Sequence, residues 1–134
     1  MQDNSLSSLK ALVKEWLKYA DSDELNARSI LTHRDGHPNG PCFLSQQMVE
    51  KHLKALLVFH KKHVPKVHDL LELETLLLST EPEIRELHEA IVTLNRYYIT
   101  TRYPGDYPEF SWKDAKEAYQ AALRVKEFVQ GKVK

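Results

Sequence analysis

Apolar residues recur at helical spacing along most of this chain. Leu6, Leu9, Leu12, Val13, Trp16, Leu17, Tyr19 and Ala20 form one stripe, and the same phase resumes at Ala27, Ile30 and Leu31. With Ser5 and Ser8 available as caps, the pattern predicts one long helix over 6–33. Asp23 and Glu24 interrupt its buried stripe. Either the helix breaks or steps outward there, with Asp21-Ser-Asp-Glu24 capping a new start, or the two acids face a pocket. The stretch Arg34 to Pro41 holds two glycines and two prolines and is expected to be a loop.

A second helix is predicted over 43–63, stopped by Pro65. On it Met48, Val49, His52, Leu53, Ala55, Leu56, Leu57, Phe59 and His60 share one broad arc. An arc that wide predicts contact with more than one neighbour and makes this helix the centre of the fold. Gln47, Glu50, Lys51, Lys54 and Lys61 gather on the other arc, which is either a solvated face or the wall of a groove.

His68-Asp69 then opens a short apolar helix through Leu70, Leu71, Leu73, Leu76 and Leu77. Thr80-Glu-Pro-Glu is a stop and restart, with Pro82 at a first-turn position. The next helix is predicted over 83–102, with Ile84, Leu87, Ala90, Ile91, Leu94 and Tyr98 as its stripe. Arg102 falls on the same phase, where it either snorkels at the helix end or reaches into a pocket. Tyr103 to Phe110 is an aromatic, turn-rich loop that can lid the end of a bundle. Ser111 and Asp114 resemble a capping box for a last helix striped by Trp112, Ala115, Tyr119, Ala122, Val125 and Val129, ending near Gly131. The elements predict an all-α fold, an antiparallel up-and-down four-helix bundle with an additional short helix, as one domain over 1–134.

Composition narrows the function classes. Lysine plus arginine equals aspartate plus glutamate at 19 each, so there is no DNA signal and any anion site must be local. No apolar run approaches ~18 residues and the amino terminus lacks a signal pattern, so a soluble, cytoplasmic protein with no membrane contact is expected. A single cysteine, Cys42, rules out an internal disulfide, and nothing beside it in sequence activates a thiol. Among seven histidines, His60 and His63 have a helical spacing that can share a metal ligand. No His-Glu-x-x-His or paired Glu-x-x-His accompanies them, so neither a metal nor another cofactor is expected. Walker and dinucleotide glycine loops and a Gly-x-Ser-x-Gly elbow are also missing from the sequence.

The polar residues with most chemical interest are discontinuous: Gln47, Glu50, Lys51 and Lys54, then His68 and Asp69, then Tyr98 with Arg102 and Tyr103. The order Gln-Gln-x-x-Glu-Lys-x-x-Lys-Ala over 46–55, His68-Asp-Leu, and Tyr98 followed by Arg102-Tyr-Pro resembles the HEPN family, the higher eukaryote and prokaryote nucleotide-binding domains. The likeness extends from Trp16-Leu-x-x-Ala20 with Asp23 through the final helix. The resemblance implies a helical bundle, commonly a homodimer, acting with a minimal nucleotidyltransferase encoded nearby in a two-component, toxin-antitoxin-like system. Val92, Ile99 and Phe59 are the candidates for the dimer face.

Many members of that family are ribonucleases whose motif is an arginine followed, after four to six residues, by a histidine. Arg102 matches the arginine, but the eight residues after it supply no histidine. Arg28-Ser-Ile-Leu-Thr-His33 fits the spacing literally but lies in the first helix, and is assigned to coincidence. The resemblance therefore implies nucleotide or RNA binding rather than cleavage: Arg102 and Lys54 on phosphate oxygens, Gln47 and Asp69 as hydrogen-bonding groups, and Tyr98, Tyr103 or Tyr107 stacking a base. The alternatives are a ribonuclease toxin whose histidine comes from elsewhere, such as His68 or a dimer mate, and a purely structural interaction module.

Overall fold

A computed structural model describes residues 6–98 and 108–134, and all of its regular structure is helical. Helix α1 spans Leu6–His33, α2 Asn39–Phe59 and α3 Leu70–Leu77. A 3₁₀ segment, Pro82–Leu87, runs directly into α4, His88–Asn95, and α5 spans Trp112–Lys132. They form an all-α antiparallel bundle around α2, which touches each of the other four helices. Among the described residues, no helix is long and apolar enough to cross a membrane.

The central place of α2 follows from its apolar arc. Met48, Val49, Leu53, Leu56 and Leu57 are fully buried in the main core with Leu70, Leu73, Ile84, Ile91, Leu94 and Val125. Its flank toward α1, Ala55 and Val58, packs with Val13 and is edged by Leu9, Trp16, Leu17 and Val133. Helix α5 buries Ala115, Ala118, Ala121 and Ala122, small side chains that bring its backbone close to its neighbours.

Helix α1 passes through Asp23 and Glu24 without a break and buries both. Its apolar stripe is narrower than expected, since Leu6, Leu12 and Tyr19 face outward. The loop predicted over 34–41 is shorter in the structure. Gly36, at φ 91°, makes the turn, and α2 has begun by Asn39. Pro41 is accepted because a first-turn residue has no intrahelical use for an N–H. Gly40 faces α1, where a Cβ would fall 3.4 Å from Ile30 Cδ1, an ordinary contact distance.

Helix α2 ends at Phe59, short of the predicted 63. Lys61 takes the left-handed conformation at φ 61°, its N–H bonds the Val58 carbonyl at 2.9 Å, and Lys62 N–H bonds that of Leu57 at 2.9 Å. Those two bonds make a Schellman stop, built here on a lysine where glycine is the usual residue. The helix predicted over 83–102 also differs. Its first part is 3₁₀, and within the described residues α4 ends at Asn95. The Asn95 side chain faces α3, accepting from Leu70 N–H at 2.8 Å and donating to Asp69 Oδ1 at 3.1 Å. Tyr97, rather than Tyr98, turns into the core against the edge of Phe110, with ring centroids 4.8 Å apart. The capping box of α5 is present, with Ser111 and Asp114 each accepting the other's backbone N–H at 3.0 Å.

Candidate functional site

Gln46, Glu50 and Lys54 lie one helical turn apart on α2, and all three are buried. Buried charge is tolerable only when paired, and Glu50 is paired twice. It accepts a hydrogen bond from Lys54 Nζ at 2.9 Å and meets His68 Nδ1 at 3.0 Å. Lys54 also stands 5.7 Å from the centre of the Trp16 ring, so its ammonium is closed in on two sides. The polar arc of α2 is thus divided: Gln47 is exposed, Lys51 half-buried, and Glu50 and Lys54 covered.

Asp23 and Glu24 belong to the same electrostatic frame. Asp23 accepts from Lys51, and Glu24 accepts from Lys126, with Arg28 3.6 Å away and Tyr119 donating its hydroxyl at 3.4 Å. These contacts pin α1 to α2 and to α5. Burial, reinforced by the Glu24 carboxylate, pushes the Tyr119 hydroxyl pKa up.

The other wall comes from the approach to α3 and the end of α4. Gln46 Nε2 donates to the His68 carbonyl at 3.1 Å, which ties that connection to α2. Asp69 caps α3 by accepting from Leu71 N–H at 2.9 Å, and its contact with Asn95 brings the end of α4 alongside. His68 and Tyr98 consequently stack, with centroids 4.9 Å apart and planes 21° from parallel.

A cavity of about 220 Å³ opens between these walls, lined by Phe43, Gln46, Gln47, Glu50, Lys51, His68, Tyr97 and Tyr98. Five of the residues singled out from the sequence meet there: Gln47, Glu50, Lys51, His68 and Tyr98. Lys54 and Asp69 stand behind the lining, one holding Glu50 and the other capping α3. Arg102, Tyr103, Tyr107 and Ile99 lie outside the described residues. Phe43 and Tyr97 carry no sequence signal beyond their aromatic character, and Gln46 is marked only by its place in the 46–55 motif. The two carboxylates at this site, Glu50 and Asp23, are matched by Lys54 and Lys51, so a ligand meets polar groups already in balance. The ring faces of His68 and Tyr98 provide stacking surface, and an imidazole held by a carboxylate is also a proton-transfer arrangement.

Neither His60 with His63 nor any other set of three or more histidine, cysteine or acidic side chains is grouped for a metal among the described residues. His60 instead meets Glu81, Nε2 to Oε2 at 2.7 Å. The Cys42 thiol is fully buried, and desolvation, helped by Asp114 and opposed by Arg96, pushes its pKa up to about 12. His52, on the apolar arc of α2, is fully enclosed, and among the described residues neither ring nitrogen has a hydrogen-bond partner. Desolvation and the Lys126 charge pull its pKa down to about 4, against the opposing effect of Glu24.

The chain is similar to known proteins over most of its length. A family model described as the HEPN domain matches residues 13–132. The crystal structure of ST0689, an archaeal HEPN homologue, superposes with a TM-score of 0.71 at 30% identity, covering 91% of this chain and 98% of that one. TT1696 from Thermus thermophilus gives a TM-score of 0.72 at 31% identity, covering 90% of this chain and 97% of that one. No curated protein matches.

Proposed function

The chain belongs to the HEPN family, and from that premise we propose that it binds a nucleotide, or an RNA phosphate with its base, in the cavity between α2, the approach to α3 and the end of α4. The observation that carries this reading is the His68–Tyr98 stack at the cavity, with 52% of the His68 side chain and 38% of Tyr98 exposed. An aromatic face of this kind holds a base with about 1–3 kcal/mol. Gln47, exposed beside it, supplies hydrogen bonds. Lys51 and Arg102 meet phosphate oxygens, while Lys54 keeps Glu50 in place rather than touching ligand. In this reading the protein is not an enzyme; it forms a homodimer, with Val92 of α4, 44% exposed, at the contact. It acts with a minimal nucleotidyltransferase in a toxin-antitoxin-like pair.

Calorimetry of the purified protein against ribonucleotides and a short oligoribonucleotide tests the site. Binding is expected to be lost in Arg102→Ala and weakened about tenfold in Tyr98→Ala; no heat with any of these ligands removes the proposal. Co-purification of the protein with a minimal nucleotidyltransferase tests the pairing.

A second reading, a ribonuclease, is favoured by one specific contact, the 3.0 Å approach of His68 Nδ1 to Glu50. A carboxylate that orients an imidazole equips it to take a proton from an RNA 2′-hydroxyl, with Arg102 on the phosphate. Toxicity and RNA breakdown on overexpression, abolished by His68→Ala and by Arg102→Ala but kept in Arg28→Ala, would replace the binding reading with this one.

A further inference from the structure

The amino-terminal half of α1 has α2 on one side and an open groove on the other. The floor of the groove is apolar, made by Leu9, Val13 and Leu17 of α1 with Phe59 at the end of α2 and Val133 beyond α5. Its volume is about 480 Å³. Leu6, 64% exposed, stands at one end of it. The rim is made by Lys10, Lys14, Lys61 and Lys134, and no acidic residue is among its lining. All four lysines are exposed, and none meets a carboxylate among the described residues. In a chain with 19 basic and 19 acidic residues, Lys10, Lys14 and Lys61 make a local concentration of positive charge around an apolar trough.

We infer that this groove is a docking site for an acidic amphipathic helix of a partner protein. The groove complements such a helix in both shape and charge. The trough runs beside α1 from Leu6 to Leu17, about 17 Å, the length of three helical turns. A gap between one helix and the ends of two others fits the ridge of a fourth. The apolar floor fits a leucine-rich stripe at i, i+3, i+4 and i+7, and the lysine rim fits aspartate or glutamate on the flanks. A second copy of this chain is a poor occupant, because a two-fold contact here would set four lysines against four lysines. A bilayer is a poor one too, since the leucines lie at the bottom of a concavity.

The test uses a fluorescein-labelled helical peptide of about five turns, with a leucine stripe and glutamates on both flanks, followed by anisotropy. The comparison peptide carries the same stripe with lysine flanks. Binding of the glutamate peptide is expected, about tenfold or more tighter than the lysine one, and weakened as salt is raised. Lys10→Glu/Lys14→Glu should lose most of that affinity, and Leu6→Ser should weaken both peptides; all three positions are exposed, so the fold is kept. Equal affinity for the two peptides, or no effect of the double substitution, overturns the inference. So does binding only to phosphatidylglycerol vesicles, or a dimer in light scattering that Leu6→Ser dissociates.

Discussion

His68 and Tyr98 lie face to face, 4.9 Å between centroids, although thirty residues of chain separate them. Asp69 and Asn95 hold them together from behind, so the stack does not depend on the exposed rings alone. Tyr98→Ala is expected to weaken nucleotide binding about tenfold, the loss of one stacking partner, with little change in melting temperature. Tyr98→Phe keeps the ring face and should keep the affinity. Calorimetry beside thermal melts separates the two effects.

Glu50 joins α2 to the His68 connection and neutralises Lys54, which is 5% exposed. Glu50→Ala leaves that ammonium buried without its partner, at a cost of about 3 kcal/mol. Arg28→Ala should cost under about 1 kcal/mol, because Arg28 is largely exposed and Glu24 keeps Lys126. Urea denaturation of the two variants checks the contrast.

The buried His52 makes stability depend on pH. Its folded pKa is about 4 and the ordinary value is 6.5, so between those values the unfolded chain binds a proton that the folded one refuses. Stability therefore rises with pH across that window, and is lost as pH falls from 6.5 toward 4. For this enclosed ring the full difference is on the order of 3 kcal/mol. His52→Leu removes two unpartnered ring nitrogens and should raise stability at pH 7 by about 1 kcal/mol. Its advantage over the parent should widen at pH 5; a constant difference in denaturation midpoints would refute the titration argument.

Lys61 holds the stop of α2 with a φ of 61°, which costs a residue bearing a Cβ about 1 kcal/mol. Lys61→Gly relieves this but loosens the unfolded chain, so a net gain of about 0.5 kcal/mol is expected. A higher urea midpoint with an unchanged slope would show it.

Much of the bundle is legible in the sequence because helical phase carries over distance. The agreement of Ala20 with Ala27 predicts that α1 continues, and the width of the α2 arc predicts its central place. The spacing of Ile84, Leu87 and Ala90 at intervals of three is itself the 3₁₀ period, and an α-helical stripe accommodates it equally well. Partners far away in sequence are not legible. Asp23 finds Lys51 across 28 residues and Glu24 finds Lys126 across 102, so a pattern within one helix cannot say why the two acids are buried. The same limit applies at the site. Gln47, Glu50, Lys51, His68 and Tyr98 are grouped by family likeness, while Tyr97 escapes because the chain turns after Asn95 and shifts the phase.

The enclosure of α2 bears on how the molecule opens. A helix in contact with all its neighbours cannot expose its amides until those neighbours leave, whereas the first turns of α1 rest on little besides α2. Deuterium uptake will be slowest over Met48–Leu57, exchanging only with the whole molecule, and faster over Leu6–Leu12, where the helix can fray on its own. The cavity wall formed by Gln46, Glu50 and Lys51 is therefore built on the last part of the protein to yield, and a ligand there meets a surface whose shape is settled before it arrives.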